Sequence, residues 1–383
     1  VPNPVASALE LVERQGEEVA ALRPPGAEIV DAHTHLGLDE DGFSLSLEEH
    51  VRAMDESGVA RAAVFALNEP DREPAYRAPN DRILYWAEES EGRLVPFVRL
   101  SLDEEPLVEA ERCVERGARG IKLHPRAQAF RVDDPRLEAV FSYAADRRLP
   151  VLIHAGRGLP LGMARELGVV ADRHPEATLI LAHAGIAEQA LIGEFANGHP
   201  NIYFDTSVWS PVDLLALFAK VAPEQVLWAS DLPYGHQLGA QEVLLRLMDR
   251  LGLEDELVRA IMGGTVMGLF EGRRPERLSP PVHGPNLTIS YDRMRIYGYL
   301  ASAVPLVWTG QGDFVGLMGL ALGACSDGDE ELATVATLIA GVQALWLRSL
   351  EIDDVDLRRT EARKAFGLLI RAQVHTIVGG AAA

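Results

Sequence analysis

Cysteine is nearly missing from this 383-residue chain. Cys113 and Cys325 stand far apart, each in a helical pattern, with no Cys-x-x-Cys spacing. A disulfide framework is therefore excluded, and a reducing, cytoplasmic setting is expected. Basic residues are also scarce: 36 Lys and Arg face 57 Asp and Glu, for a net charge of −21 and a pI near 4.9. Such a surface repels phosphate backbones and anionic headgroups, so neither nucleic acid nor a membrane is expected as a partner. No apolar run reaches the roughly 18 residues of a membrane span; the longest candidate, Phe314 to Ala324, is short and interrupted by Gly316, Gly319 and Gly323. No basic-then-apolar leader is expected from the first residues given, which carry Glu10, Glu13, Glu17 and Glu18. Low-complexity tracts and long repeats are lacking.

What is present is the composition of an ordinary globular protein, 48% hydrophobic and 24% charged, long enough for one large domain and a smaller one. Residues 4–22 carry Val5, Leu9, Val12 and Val19 at helical spacing, and Pro24-Pro25-Gly26 ends that helix. Strand and helix patterns then alternate. Strands are expected around Glu28–Val30 and its continuation, then at 61–67, 94–100, 120–124, 150–154, 178–183, 202–205 and 226–231. Between them lie helical patterns of roughly three turns, as right-handed parallel crossovers require. The strands are near-continuous Val, Ile, Leu and Phe runs, the mark of a parallel sheet covered by helices. Eight units predict a TIM (β/α)8 barrel over residues 27–272, with residues 1–26 as an N-terminal helix and lead-in. Residues 273–287, rich in Pro and Gly, read as a linker, and 288–383 as an all-α C-terminal domain. Helices are predicted at 290–304, 312–325, 328–350 and 353–378. The stripes Leu332, Val335, Ile339, Val342, Trp346 and Phe366, Leu369, Ile370, Val374, Ile377 fit packing among these helices, or a homo-oligomer contact. Arg358, Arg359, Arg363 and Lys364 read as a solvated face.

Chemistry is concentrated at the strand ends, where a barrel of this kind builds its site. The first strand runs into Asp31-Ala32-His33-Thr34-His35-Leu36-Gly37. Alternation places His33 and His35 on one face, where two imidazoles can close on one metal ion. Taken alone, the pair reads equally as two strand histidines satisfied by hydrogen bonds. Strand 4 adds Lys122 and His124, strand 5 His154, strand 6 His183 and strand 8 Asp231. Five of the eleven histidines thus fall at strand ends, and together with Asp231 they form a convergent set. Asp31 shares the parity of the pair and is expected to point inward but deeper, as a hydrogen-bond partner of the ligands or a buried structural carboxylate. Arg99, Arg126 and Arg157 gather near the same mouth with Lys122. Cations at the mouth of so acidic a protein suggest a small anionic substrate. Asn68, Asp205, Trp209, Tyr234 and His236 follow strands 2, 7 and 8 and can shape the pocket, though most of them read as packing or loop residues.

With these motifs in view, the chain resembles the amidohydrolase superfamily over roughly residues 27–272. The resemblance rests on Asp31-Ala32-His33-Thr34-His35, Gly120-Ile121-Lys122-Leu123-His124-Pro125, the His154 and His183 strand ends, Ser230-Asp231, and Gly263-Gly264-Thr265. Within the superfamily it is most similar to the branch of aminocarboxymuconate-semialdehyde decarboxylase, aromatic-acid decarboxylases and lactone hydrolases. The resemblance implies that His33, His35, His154 and Asp231 hold one divalent metal, zinc first and manganese second. It also implies that His183 stands beside the metal as acid/base or polarising group. A second metal bridged by a carboxylated Lys122 ranks behind a role for Lys122 as a cation for a substrate carboxylate. His124, Arg126, Arg157 and Arg99 are the other expected substrate contacts. The implied function is a metal-dependent hydrolase cleaving an amide, lactone or ester bond in a small carboxylated molecule, with Asp231 and His183 handling protons. The alternative is a non-oxidative decarboxylase or hydratase of an unsaturated or aromatic acid at the same site.

Overall fold

The eight apolar runs form eight parallel strands laid side by side in chain order: β1 (Val30–Leu38), β2 (Arg61–Ala66), β3 (Leu94–Arg99), β4 (Gly120–Leu123), β5 (Pro150–Ile153), β6 (Thr178–Leu181), β7 (Ile202–Asp205) and β8 (Val226–Leu227). A two-residue strand, Ser44–Leu45, pairs antiparallel with the end of β1. The computed structural model describes residues 3–379 except 41, 157–158, 160–161, 209, 283–288, 310, 312 and 326–329. The ring closes between its first and last strands. Ala32 N donates to Trp228 O at 3.1 Å, Asp231 N to His33 O at 2.9 Å and His35 N to Leu232 O at 2.8 Å. These bonds explain why β8 is shorter than the 226–231 expected: beyond Leu227 the backbone bonds to β1 through Trp228 O, Asp231 N and Leu232 O, while Trp228 N donates to Ile261 O.

The helices α1 (Pro4–Leu22), α2 (Leu47–Ser57), α3 (Arg77–Glu89), α4 (Pro106–Glu115), α5 (Glu138–Arg147), α6 (Met163–Arg173), α7 (Gln189–Ala196), α8 (Pro211–Phe218) and α9 (Gln237–Leu251) follow the expected order. Local signals start and stop them. Asn3 caps α1, Ser46 and Glu49 form a capping box on α2, and Gly58, at φ 62°, ends α2 in the left-handed conformation that glycine adopts without steric cost. Two apolar layers result. One fills the barrel with Val30, Phe65, Phe97, Leu152 and Tyr203, closed from below by Val266, Leu269 and Phe270. The other lies between strands and helices. Short α10 (Asp255–Arg259) and α11 (Thr265–Phe270) bring that closing segment under the barrel. It fits because Gly263 has no side chain: a Cβ there would lie 2.2 Å from the Glu28 carbonyl oxygen.

The C-terminal region is α-helical, as expected: α12 (Tyr291–Thr309), α13 (Phe314–Ala324), α14 (Glu330–Leu350) and α15 (Val355–Val378). Helix α12 continues past residue 304, through Pro305, which forfeits one backbone bond without stopping the helix. Leu332, Val335, Ile339, Val342 and Trp346 are buried, as are Leu369, Ile370, Val374 and Ile377, so both stripes serve packing within the chain. The apolar cluster that covers the outside of the barrel continues into these helices. By length and composition, Leu332–Leu350 is apolar enough to cross a membrane, although no such run was expected; half of it is buried within the fold. A buried charge cluster ties α1, α9 and α15 together. Glu242 accepts from Gln15 Nε2 at 2.8 Å and Arg246 Nε at 2.9 Å, and lies 2.8 Å from Arg371 Nε and 3.4 Å from His375 Nε2.

Candidate metal centre

The site begins with an irregularity in β1. Asp31 pairs with Ala62 and Thr34 with Val64, so two residues of β1 oppose Ala63 alone. This bulge reverses the alternation. Val30 and Ala32 face the lumen before it; His33 and His35 face the lumen after it, with His35 beside lumen-facing Phe65. The expectation that Asp31 points inward is therefore corrected. Its partner Ala62 belongs to the outer layer, and its carboxylate accepts from Ser230 N at 3.0 Å, Ser230 Oγ at 2.6 Å, Gln237 Nε2 at 3.0 Å and His33 N at 3.2 Å. Asp31 is a buried structural carboxylate that locks β1 to the residues after β8 and to α9. Burial raises its pKa to about 7 even against these four bonds.

Three donor atoms converge at the mouth. His33 Nε2 lies 3.2 Å from His35 Nε2 and 3.2 Å from Asp231 Oδ1, and His35 Nε2 lies 3.1 Å from the same oxygen. Among the described residues, these three side chains make a group able to hold a metal ion. Asp231 reaches the histidines from a left-handed backbone position, at φ 60°. The other face of His33 is held by a residue that the sequence reading underrated. Asp205, at the end of β7, accepts from His33 Nδ1 at 2.8 Å. Its second oxygen accepts from His183 N at 2.9 Å, Ser207 N at 3.0 Å and Ser207 Oγ at 2.5 Å. Burial opposes the charge on Asp205, but His33 and these donors outweigh it and hold the carboxyl well below the usual range. A carboxylate on one imidazole nitrogen sets the tautomer and leaves the other nitrogen's lone pair for a metal. The available signal was position: Asp205, like His124, His154 and His183, stands where a strand ends.

A second chain of bonds sets His154. His183 Nδ1 donates to Ser207 O at 2.9 Å, leaving His183 Nε2 as an acceptor for His154 Nδ1 at 3.1 Å. His154 Nε2 is then a bare lone pair, buried and without a hydrogen-bond partner among the described residues. His183 sits at φ 58°, and Gly156 makes room for it: a Cβ on Gly156 would lie 2.7 Å from His183 Cδ2. The His124 ring stacks on His154 at 3.9 Å. Burial first, and then Lys122, lowers the pKa of His33 to about 4; the same causes in the same order hold His35 well below its ordinary value. His154 is likewise lowered, by burial and then by His124. Neutral imidazoles are the form that binds a metal.

The cations take different places. Lys122 is buried against the Phe65 ring, 4.6 Å from its centroid, with Nζ 3.4 Å from His33 Nε2. Burial lowers its pKa to about 7, although Asp205 and Asp231 pull the other way. Arg99 is 2% exposed. Its guanidinium lies 4.7 Å over the Tyr76 ring, and its Nε and Nη2 have no hydrogen-bond partner among the described residues. Arg126 is exposed at the rim. Arg157 and Trp209 lie outside the described residues. His33, His35, His154, His183, Asp231, Lys122, His124, Arg126 and Arg99 all line one cavity of about 900 Å³. His236 does not line it; it caps α9 by accepting from Gly239 N.

Fold and site together define a (β/α)8 barrel with a strand-end His/Asp centre able to hold a metal. Residues 30–270 match the amidohydrolase family profile, and the chain belongs to that family. No curated protein matches. Similar solved structures include 5-carboxyvanillate decarboxylase from Sphingomonas paucimobilis, 17% identical with a TM-score of 0.51, covering 64% of this chain and 99% of that one. 2,6-Dihydroxybenzoate decarboxylase from Rhizobium is also 17% identical at TM-score 0.51, over 64% and 98%. 4-Oxalomesaconate hydratase from Rhodopseudomonas palustris is 16% identical at TM-score 0.51, over 64% and 96%. At such identities the likeness is one of fold. The family match ends at residue 270, so α12 to α15 lie beyond it.

Proposed function

We propose that this protein is a metal-dependent hydrolase that cleaves an ester, lactone or amide bond in a small carboxylated molecule. The observation that carries the reading is the meeting of His33 Nε2, His35 Nε2 and Asp231 Oδ1 within about 3 Å of one another in a cavity also lined by Arg99, whose Nε and Nη2 have no hydrogen-bond partner among the described residues. His33, His35 and Asp231 would hold the ion, with His154, which lies outside that three-residue group, as the proposed fourth ligand, and zinc is preferred for this donor set. When bound, zinc supplies Lewis acidity, which makes water more acidic and polarises a carbonyl. The chain's own residues do the rest. Asp231 takes a proton from the attacking water. As the acyl bond breaks, Asp231 returns that proton to the leaving oxygen or nitrogen, with His183, its Nδ1 4.0 Å from Asp231 Oδ2, standing beside the centre as the polarising group. Arg99, at the cavity wall, supplies the positive charge for the substrate carboxylate. Lys122 is better suited to adjusting charge beside His33 than to anchoring a distant anion, since it lies against the donor cluster itself.

Decarboxylation or hydration at the same centre is the second reading. The fold is shared with two decarboxylases and a hydratase, and a buried guanidinium suits any carboxylated substrate. The test is metal analysis of the purified protein followed by parallel assays. Carboxylated esters and lactones are followed by acid release, and hydroxybenzoates by carbon dioxide. We expect one equivalent of zinc, lost in His33→Ala and Asp231→Ala, and acid release without carbon dioxide. Full metal content in both variants refutes the ligand set, and carbon dioxide release alone refutes hydrolysis.

A further inference from the structure

Helix α12 has two working faces. Ile296, Leu300 and Ala303 are buried and pack into the C-terminal helices. Tyr297, Ala301, Val304 and Pro305, at the i, i+4, i+7, i+8 spacing of a single helix face, line the barrel cavity. The contact is anchored: Tyr297 Oη lies 2.9 Å from Ser210 Oγ, the N-cap of α8. Ser210 follows β7, and Arg99 ends β3. In an eight-strand ring, those positions are half a turn apart. Arg99, the His33, His35 and Asp231 cluster and α12 line one cavity, so a molecule with its carboxylate on Arg99 that spans this cavity can reach both the cluster and α12. Helix α12 presents Ala301, Val304 and Pro305 to the cavity as apolar surface, with the Tyr297–Ser210 pair and Asp213 at its edge, and Val208 and Ile186 add further apolar lining. The cavity, at about 900 Å³, is far larger than a compact acid fills.

We propose that α12 is the specificity wall for the far end of the substrate, and that the substrate is an amphiphilic carboxylate: charged end on Arg99, reacting bond at the His/Asp centre, apolar chain or ring against α12. This rests on the carboxylate reading above but adds a requirement that it does not contain. The wall lies outside the matched family region, which ends at residue 270, so it is a feature of this chain's own C-terminal helices.

The test is calorimetric titration of the full chain with straight-chain carboxylates from butanoate to decanoate. Binding should tighten by about fourfold for each added methylene until the wall is filled. Ala301→Phe, which fills the space, should reduce the octanoate-to-butanoate affinity ratio by tenfold or more. Val304→Ala, which enlarges it, should move the best chain length up by one or two carbons. Arg99→Met should weaken every member of the series. If affinity is independent of chain length, or if both α12 variants keep the wild-type ratio, the wall is refuted. If Arg99→Met binds as wild type while the α12 variants behave as stated, the carboxylate anchor is refuted and the wall stands.

Discussion

Asp205→Asn is the substitution that discriminates most sharply. It keeps the shape of the side chain and removes one acceptor. In the native protein Asp205 Oδ2 accepts from His33 Nδ1 at 2.8 Å, while Oδ1 accepts from His183 N and Ser207 N at 2.9 and 3.0 Å. An asparagine oxygen can keep the two backbone donors only by turning its NH2 toward His33. Two donors cannot share that 2.8 Å line, so the His33 proton must move to Nε2. That nitrogen is the one facing His35 Nε2 and Asp231 Oδ1, and its lone pair is then lost to a metal. Losing a carboxylate behind a ligating histidine typically weakens metal binding by 10- to 100-fold, or about 1.4–2.8 kcal/mol. The measurement is competition for zinc between the metal-free protein and a chelator of known affinity, with thermal unfolding as a check on the fold. Zinc affinity within twofold of wild type, in a variant that melts normally, would refute both the tautomer argument and His33 as a ligand.

Three further outcomes are expected. Glu242 has its pKa lowered from 4.5 to about 2, because His375, Arg371, Arg246 and Gln15 outweigh its burial. It therefore contributes about 3 kcal/mol, fully present above pH 4.5 and lost as the pH falls towards 2. Urea unfolding should show that loss in wild type and a flatter acid limb in Glu242→Gln; identical limbs would remove Glu242 from the account. Gly263→Ala should destabilise the barrel by roughly 3 kcal/mol, the upper end of overpacking costs, because the obstacle is the Glu28 carbonyl oxygen and not a side chain that can move; an unchanged melting temperature would contradict this. Gly156→Ala should lower zinc affinity more than it lowers stability, since its Cβ would press on His183 Cδ2 at 2.7 Å and His154 Cε1 at 3.1 Å; zinc titration and thermal melts on one preparation separate the two effects.

The barrel was legible because a parallel sheet writes itself as apolar runs at regular spacing, and the eight runs needed no tertiary information to be counted. The strand ends were legible for a related reason: a histidine directly after a Val-Ile-Leu run has few purposes in a helix-covered sheet, and His33, His35, His124, His154 and His183 all stand there. Asp205 stood in the same register and was read as packing, because a lone carboxylate carries no spacing signal. Its role depends on which imidazole nitrogen it faces across the barrel, from β7 to β1. The lining face of α12 was equally silent. Tyr297, Ala301 and Val304 stand at ordinary helical spacing in the helix expected over 290–304, and only the fold brings that face over Ser210 and the cavity.

Asp31 shows the same limit from the opposite side. Strict alternation from Asp31 to His35 is a sound inference for an unbroken strand, yet it fails within four residues. The bulge opposite Ala63 inserts one residue, so the lumen face passes from Val30 and Ala32 to His33 and His35. Without it, a strand carrying Val30 and Ala32 in the packed interior would turn both histidines into the helix layer, where no metal could reach them. Two demands meet in this short strand: apolar side chains to fill the barrel and imidazoles to line its mouth. Period-two alternation cannot place both on one face at these positions, and the extra residue resolves the conflict. The cost is a disturbed ladder, which Asp31 offsets by accepting four hydrogen bonds from Ser230, Gln237 and the His33 backbone. Asp31, expected to point inward, is turned outward and as a buried structural carboxylate supports the distortion on which the His33–His35 pair depends.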